Sequence, residues 1–169
     1  MNRKSSLPLL LVVLVAAAVF IWLSDASLPP VVASHFVAGG RANGFMPRGA
    51  YLGLMLATAV GMPLILSLVT GGITRLLPDR FINLPNRDYW LAPERRQQTF
   101  DYLADQGYRF AILLCAFFCF MHWLVIRANE QQPPRLPESM LFTALAVFLV
   151  ALVIWLGAFF IRFRRRPST

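Results

Sequence analysis

The chain is predicted to be an all-α integral membrane protein with four transmembrane helices, both termini on the cytoplasmic side. Three observations lead there. Of 169 residues, 57% are hydrophobic and only 14% charged, against about 25% charged in a soluble domain. The apolar residues fall in four long runs, and the arginines are unevenly shared between the segments that join them.

Leu7 to Leu23, Gly49 to Ile73, Phe110 to Ile126 and Met140 to Ile161 contain no Asp, Glu, Lys or Arg. Each is long enough to cross a bilayer as a helix, which takes about 17 to 25 residues. Hydrocarbon offers no water to backbone amides, and a helix satisfies its own N–H and C=O groups without an edge. The expected spans are about 7–24, 49–73, 109–127 and 139–162. An outer loop at 25–48 and a cytoplasmic loop at 74–108 complete one four-helix membrane domain, with no internal repeat or low-complexity linker.

The formal charge of +8 raises nucleic acid as a partner, but its distribution points elsewhere. Arg3, Lys4, Arg75, Arg80, Arg87, Arg95, Arg96, Arg109, Arg162, Arg164, Arg165 and Arg166 flank one side of the four-span arrangement. Only Arg41, Arg48, Arg127 and Arg135 flank the other. Twelve against four of the 16 Lys and Arg is a positive-inside bias. The charge sets topology, and the bilayer with anionic headgroups at its cytoplasmic face is the first partner it implies.

The first span follows Arg3 and Lys4 and precedes Ser24-Asp25-Ala26, the outline of a signal peptide. Its apolar run exceeds the usual h-region of about 7 to 15 residues, so a retained anchor is expected. Trp22, Trp123 and Tyr51 fall near proposed outer ends and Trp90 in the cytoplasmic loop, as an aromatic belt requires. Within that loop, Pro93 and Glu94 suit a first helical turn, and Phe100, Leu103 and Phe110 keep an apolar stripe. An interfacial helix running into the third span is expected, with Gly107 as its bend.

Few residues offer chemistry. Cys115, Cys119 and His122 are spaced by four and three along the third span, so two thiols and an imidazole share a face. Such soft ligands suit zinc or copper, but a closed site needs about four donors and only the distant His35 is left to add. Buried thiols packed in an apolar helix are the commoner outcome, and no cofactor is expected. The chain has no phosphate-binding glycine loop, HExxH pair or GxSxG elbow. The four runs carry no acidic residue, which speaks against ion-coupled transport and intramembrane acid–base catalysis. In the second span Gly49, Gly53, Ala57 and Gly61 recur every four residues, a pattern that brings membrane helices close. They are expected to pack within the chain, with Pro63 kinking the helix beyond them. Trp90, Arg95 and Arg96 are candidates for a cytoplasmic interface.

The outer loop holds LPPVVASHFVAGGRANGF, in which Leu28, Pro29, His35, Phe36, Gly40, Gly44 and Phe45 form a pattern. It resembles the bacterial membrane family known as domain of unknown function 1648, found in the Sdp-type immunity proteins. That pattern lies between two membrane spans and covers about the first 65 residues here. Asn43 stands where the family usually has Asp, and Val37 where Asn is common. NLPNRDYWLAPERR, residues 83–96, is similar to the cytoplasmic loop of some members. The resemblance implies an ordered outer loop and, in the longer relatives, toxin immunity and sequestration of a regulator at the membrane. Physically, Pro29 and Pro30 end the first span, VVASHF can be extended, and Gly39, Gly40 and Gly44 permit tight turns. His35 is expected to hydrogen-bond a nearby carbonyl and fix the turn.

These observations favour a non-catalytic inner-membrane protein of binding, accessory or regulatory role. It would act on a membrane protein, an envelope peptide or a cytoplasmic regulator, not on nucleic acid. Immunity or signalling, a small transporter, and a membrane enzyme using His35, His122 or the cysteines are the alternatives.

Overall fold

The computed structural model describes residues 5–164. Four helices in it are long and apolar enough to cross a membrane. Helix α1 spans Leu7–Leu23 and ends in a short 3₁₀ turn, Ser24–Ser27. Strands β1 (Val31–Phe36) and β2 (Ala42–Pro47) follow as an antiparallel hairpin. Helix α2 runs through Arg48–Leu76, α3 through Pro93–Asn129 and α4 through Glu138–Arg164.

Large apolar residues cover the outside of the bundle: Val12, Trp22, Ile65, Val147 and Val153 are all exposed. That inversion of the soluble pattern is what a hydrocarbon solvent requires. The ordered outer loop expected at 25–48 takes the form of a two-stranded hairpin, with VVASHF as its first strand. Val31 and Val32 are β-branched and favour an extended pleat, and Gly39 and Gly40, at φ +85° and +72°, supply a turn open to few other residues.

The third span continues the cytoplasmic helix, as expected. Residues 93–129 form one helix of 37 residues, with no helix break at Gly107. Gly107 is buried instead at a crossing: a Cβ there would overlap the side chain of Thr70 in α2, and a Cβ on Gly71 would overlap the Tyr108 hydroxyl. Two glycines offset in this way let α2 and α3 touch through their backbones.

Helix α2 contains two π-helical stretches, Ala57–Gly61 and Val69–Ile73. The first ends just before Pro63, whose ring cannot sit over a regular i−4 carbonyl, and a widened turn absorbs the misfit. The small-residue stripe needs correction. Gly49 and Gly53 face open space, and Ala57 is exposed. Tyr51, Ala59, Pro63 and Ser67 are the buried line instead. The Tyr51 hydroxyl finds its partner across the bundle in His122, whereas Ser67 donates to the Leu64 carbonyl of its own helix at 2.7 Å.

At the arginine-rich end, residues 77–92 fold onto the ends of α3 and α4. Ile82, Leu84, Leu91, Phe100 and Phe163 make a small core. Asn86, in the left-handed conformation at φ 53°, donates its side-chain amide to the Phe163 carbonyl at 3.1 Å, as the Trp90 indole does at 3.0 Å. The last carbonyls of a helix have no partner of their own, so this loop caps α4. Near the chain start, Ser6 N donates to the buried Asp105 carboxylate at 2.7 Å. Ser6, Asp105 and Phe163 therefore lie at one end of the bundle and the hairpin at the other.

Candidate functional site

The hairpin end gathers most of the residues singled out in the sequence. β1 pairs with β2 in the register Val31↔Pro47, Val32↔Met46, Ala33↔Phe45, His35↔Gly44 and Phe36↔Ala42, with irregularities on either side of His35. His35 does not bond a backbone carbonyl, as expected from sequence. Its Nδ1 lies 2.5 Å from the Asn43 side-chain oxygen across the hairpin, so that nitrogen is the donor. Gly44 is small because His35 is its neighbour: a Cβ there would stand 2.8 Å from the His35 Cβ. His35, Asn43 and Phe45 are exposed, whereas Phe36 and Pro29 are half-buried.

Three sets of contacts hold the hairpin against the bundle. The Asn129 side chain accepts from Ala33 N at 2.8 Å and donates to Ala33 O at 3.0 Å. A primary amide thus pairs with β1 as a neighbouring strand would, closing that edge. At the tip, Leu136 N donates to Gly40 O at 2.8 Å, Arg135 Nε to Gly39 O at 3.1 Å, and Gly39 N to Glu138 Oε1 at 2.7 Å. A Cβ on Gly40 would overlap the Leu136 carbonyl, so the glycine is required twice, for its φ and for this approach. At the base, Arg48 pairs with Asp25 at 3.0 Å and donates to the Asp25 and Leu28 carbonyls.

Beneath the hairpin lies a polar cluster that sequence reasoning did not assemble. His122 is 0% exposed, not near water as its place toward the end of the span suggested. Its Nε2 lies 2.7 Å from Ser24 Oγ and its Nδ1 2.9 Å from the Tyr51 hydroxyl. Ser24 Oγ also lies 2.6 Å from the Ile21 carbonyl, which can only accept. The serine proton therefore goes to Ile21, Nε2–H donates to Ser24, and the Tyr51 hydroxyl donates to Nδ1. The donors of Ser24, His122 and Tyr51 are all satisfied, and α1, α2 and α3 are tied together where hydrocarbon would penalise a loose polar group. The same assignment leaves His122 nothing with which to take a proton from Ser24, so the pair is not poised for acyl transfer.

The metal grouping is likewise dispersed. Both nitrogens of His122 are spent on hydroxyls, and Cys115 is buried among Leu10, Leu14, Ala17 and Ala111. Among the described residues, no three His, Cys, Asp or Glu side chains converge.

At the opposite end, Trp90 is spent on the α4 cap. Arg95 stacks over Tyr89 at 4.0 Å, and Arg96 lies over Phe100 at 4.8 Å while pairing with Asp79. These three residues serve the loop's own packing. Ser24, Asn129 and Arg135 were missed in the sequence; a polar residue at each margin of an apolar run was the available signal. No family model, curated protein or solved structure matches the chain.

Proposed function

We propose that this protein is a non-catalytic binding component of the bacterial inner membrane. Both termini are cytoplasmic, and the hairpin on the outer face engages a partner protein or peptide. The observation that carries the reading is the division of labour in the hairpin. Gly40, Gly44, Asn129 and Arg48 hold it rigidly in place, while His35, Asn43 and Phe45 are presented outward. A preformed, exposed surface on a fixed support is the economical way to bind, because little ordering is lost on association.

The orientation rests on the count of Lys and Arg, twelve to four, which also puts anionic headgroups against the arginine-rich end. Membership of the domain of unknown function 1648 family is part of the proposal. Its support is that the motif residues His35, Gly40 and Gly44 act as one structural unit. Toxin immunity or regulator sequestration is the specific form such binding takes in the longer relatives.

Affinity purification of the full chain in mild detergent tests the reading, comparing wild type with His35→Ala and Phe45→Ala. A stoichiometric protein or peptide recovered with wild type and lost from folded variants is the expected result. A partner retained equally by both variants, or wild type recovered alone, overturns it.

A further inference from the structure

At the hairpin tip Arg41 and Arg135 form an antiparallel bridge. Directly opposed residues in such a bridge carry their side chains on the same face, with Cβ atoms about 4.5 to 5.5 Å apart, and like charges placed so repel. Among the described residues neither guanidinium has a carboxylate within ion-pair distance. Glu138, the acid bonded at this turn, holds Gly39 N instead. The backbone thus sets two cationic side chains on one face of the tip, Arg135 bonded through Nε to Gly39 O, and neither is in an ion pair with a described carboxylate.

An apolar groove of about 480 Å³ begins at the same end of α4. It is lined by Ala116, Phe117 and Phe120 of α3 and by Ser139, Ala144 and Phe148 of α4, among others. Phe117 packs on Phe148 at 4.5 Å where both line the groove, and Phe110 packs on Trp155 at 5.0 Å further from the hairpin. From Ser139 to Phe148 the helix rises about 14 Å, close to half of the ~30 Å hydrocarbon core, the depth of one leaflet. Arg135 precedes Ser139 by four residues, which puts the arginine pair at headgroup level and the groove at acyl-chain level.

We infer that the groove and the arginine pair form one site for an anionic phospholipid in the hairpin-side leaflet. The phosphate sits on Arg41 and Arg135, and an acyl chain lies between α3 and α4. A partner helix in the groove would use its apolar wall but leave the two charges opposed; a lipid phosphate offsets both. The inference rests on the membrane reading, but not on the protein or peptide partner proposed above.

Native mass spectrometry of the full chain in mild detergent provides the test, with phosphatidylglycerol, phosphatidylcholine of the same chains, or sodium phosphate titrated in. One phosphatidylglycerol is expected to bind in preference to phosphatidylcholine. It should be weakened about tenfold to thirtyfold in the folded R41Q/R135Q variant, at about 1 kcal/mol per arginine near a charged headgroup. Ala144→Phe, which fills the groove and leaves both arginines, should displace the lipid as well. Should the double variant fail to fold, Arg41→Gln alone keeps the test, since Arg41 joins the bridge through its backbone. Equal retention of the two lipids, or unchanged binding in the arginine variants, overturns the site. Sodium phosphate binding as tightly as the lipid, with Ala144→Phe without effect, would make it a free-phosphate site and overturn the lipid assignment.

Discussion

His35 and His122 show how a residue's role depends on partners the chain brings from elsewhere. His35 finds Asn43 eight residues away, inside the same motif, so a structuring part for it could be read from the loop sequence, though not the atom it would bond. His122 finds Ser24 and Tyr51 across 98 and 71 residues, and no spacing rule reaches that far. Asn129 is similar, since its pairing with Ala33 spans 96 residues. His122→Leu should lower stability by about 1–3 kcal/mol, the cost of stranding a buried donor, seen as a lower thermal midpoint in detergent. Cys119→Ala on the same helix, at a half-buried position, should cost clearly less, and equal losses would mean the polar cluster is no lock. Gly44→Ala should also destabilise, by about 1–3 kcal/mol as overpacking does, because the new methyl meets the His35 Cβ. Unaltered unfolding of Gly44→Ala would show that the hairpin can yield at that crossing.

For the elements, the sequence was most informative where hydrocarbon alone decides. Four uncharged runs became four helices, with ends within a few residues except at α3. There the amphipathic stretch from Pro93 and the apolar run from Phe110 obey the same 3.6-residue geometry and only the solvent changes, so the expected interfacial helix and the span form one helix without a break. The glycines misled because spacing reveals a stripe but not the direction it faces. Gly49 and Gly53 look outward, while Gly71 and Gly107, which show no four-residue pattern, sit at the real crossing. Gly107→Ala should therefore destabilise the bundle by about 1–3 kcal/mol, and Thr70→Ala should recover part of that loss. Gly157→Ala, with open space around it, should leave the thermal midpoint unmoved or slightly raised. Matching losses at the two glycines would sink the crossing argument. Helix α1 supplies Leu10, Leu14 and Ala17 to the core, and the turn that ends it supplies Ser24 to His122. N-terminal sequencing of the membrane-extracted protein should accordingly find α1 retained, and a mature terminus near Ala26 would contradict its structural part.

On the scale of the whole molecule the two ends differ in kind. The arginine-rich end is closed on itself: residues 77–92 cap α4, and Trp90, Arg95 and Arg96 are engaged there. The hairpin end leaves His35, Asn43, Phe45 and the Arg41–Arg135 pair turned outward. The proposed orientation puts the first end in the cytoplasm, on the argument that arginines resist transfer across the membrane during insertion. If so, Ala38 at the hairpin tip and Gln97 near the start of α3, both exposed, lie on opposite sides of the bilayer. The native cysteines Cys115 and Cys119 lie within α3, so replacing them with alanine gives a background for single-cysteine labelling. Ala38→Cys should react with a membrane-impermeant maleimide in intact spheroplasts, and Gln97→Cys only after the membrane is permeabilised. The reverse pattern would invert the protein and move the arginine-pair lipid site to the cytoplasmic leaflet. Labelling of both positions in intact cells would mean that the segment between them does not cross the membrane an odd number of times, which a single α2 span cannot accommodate.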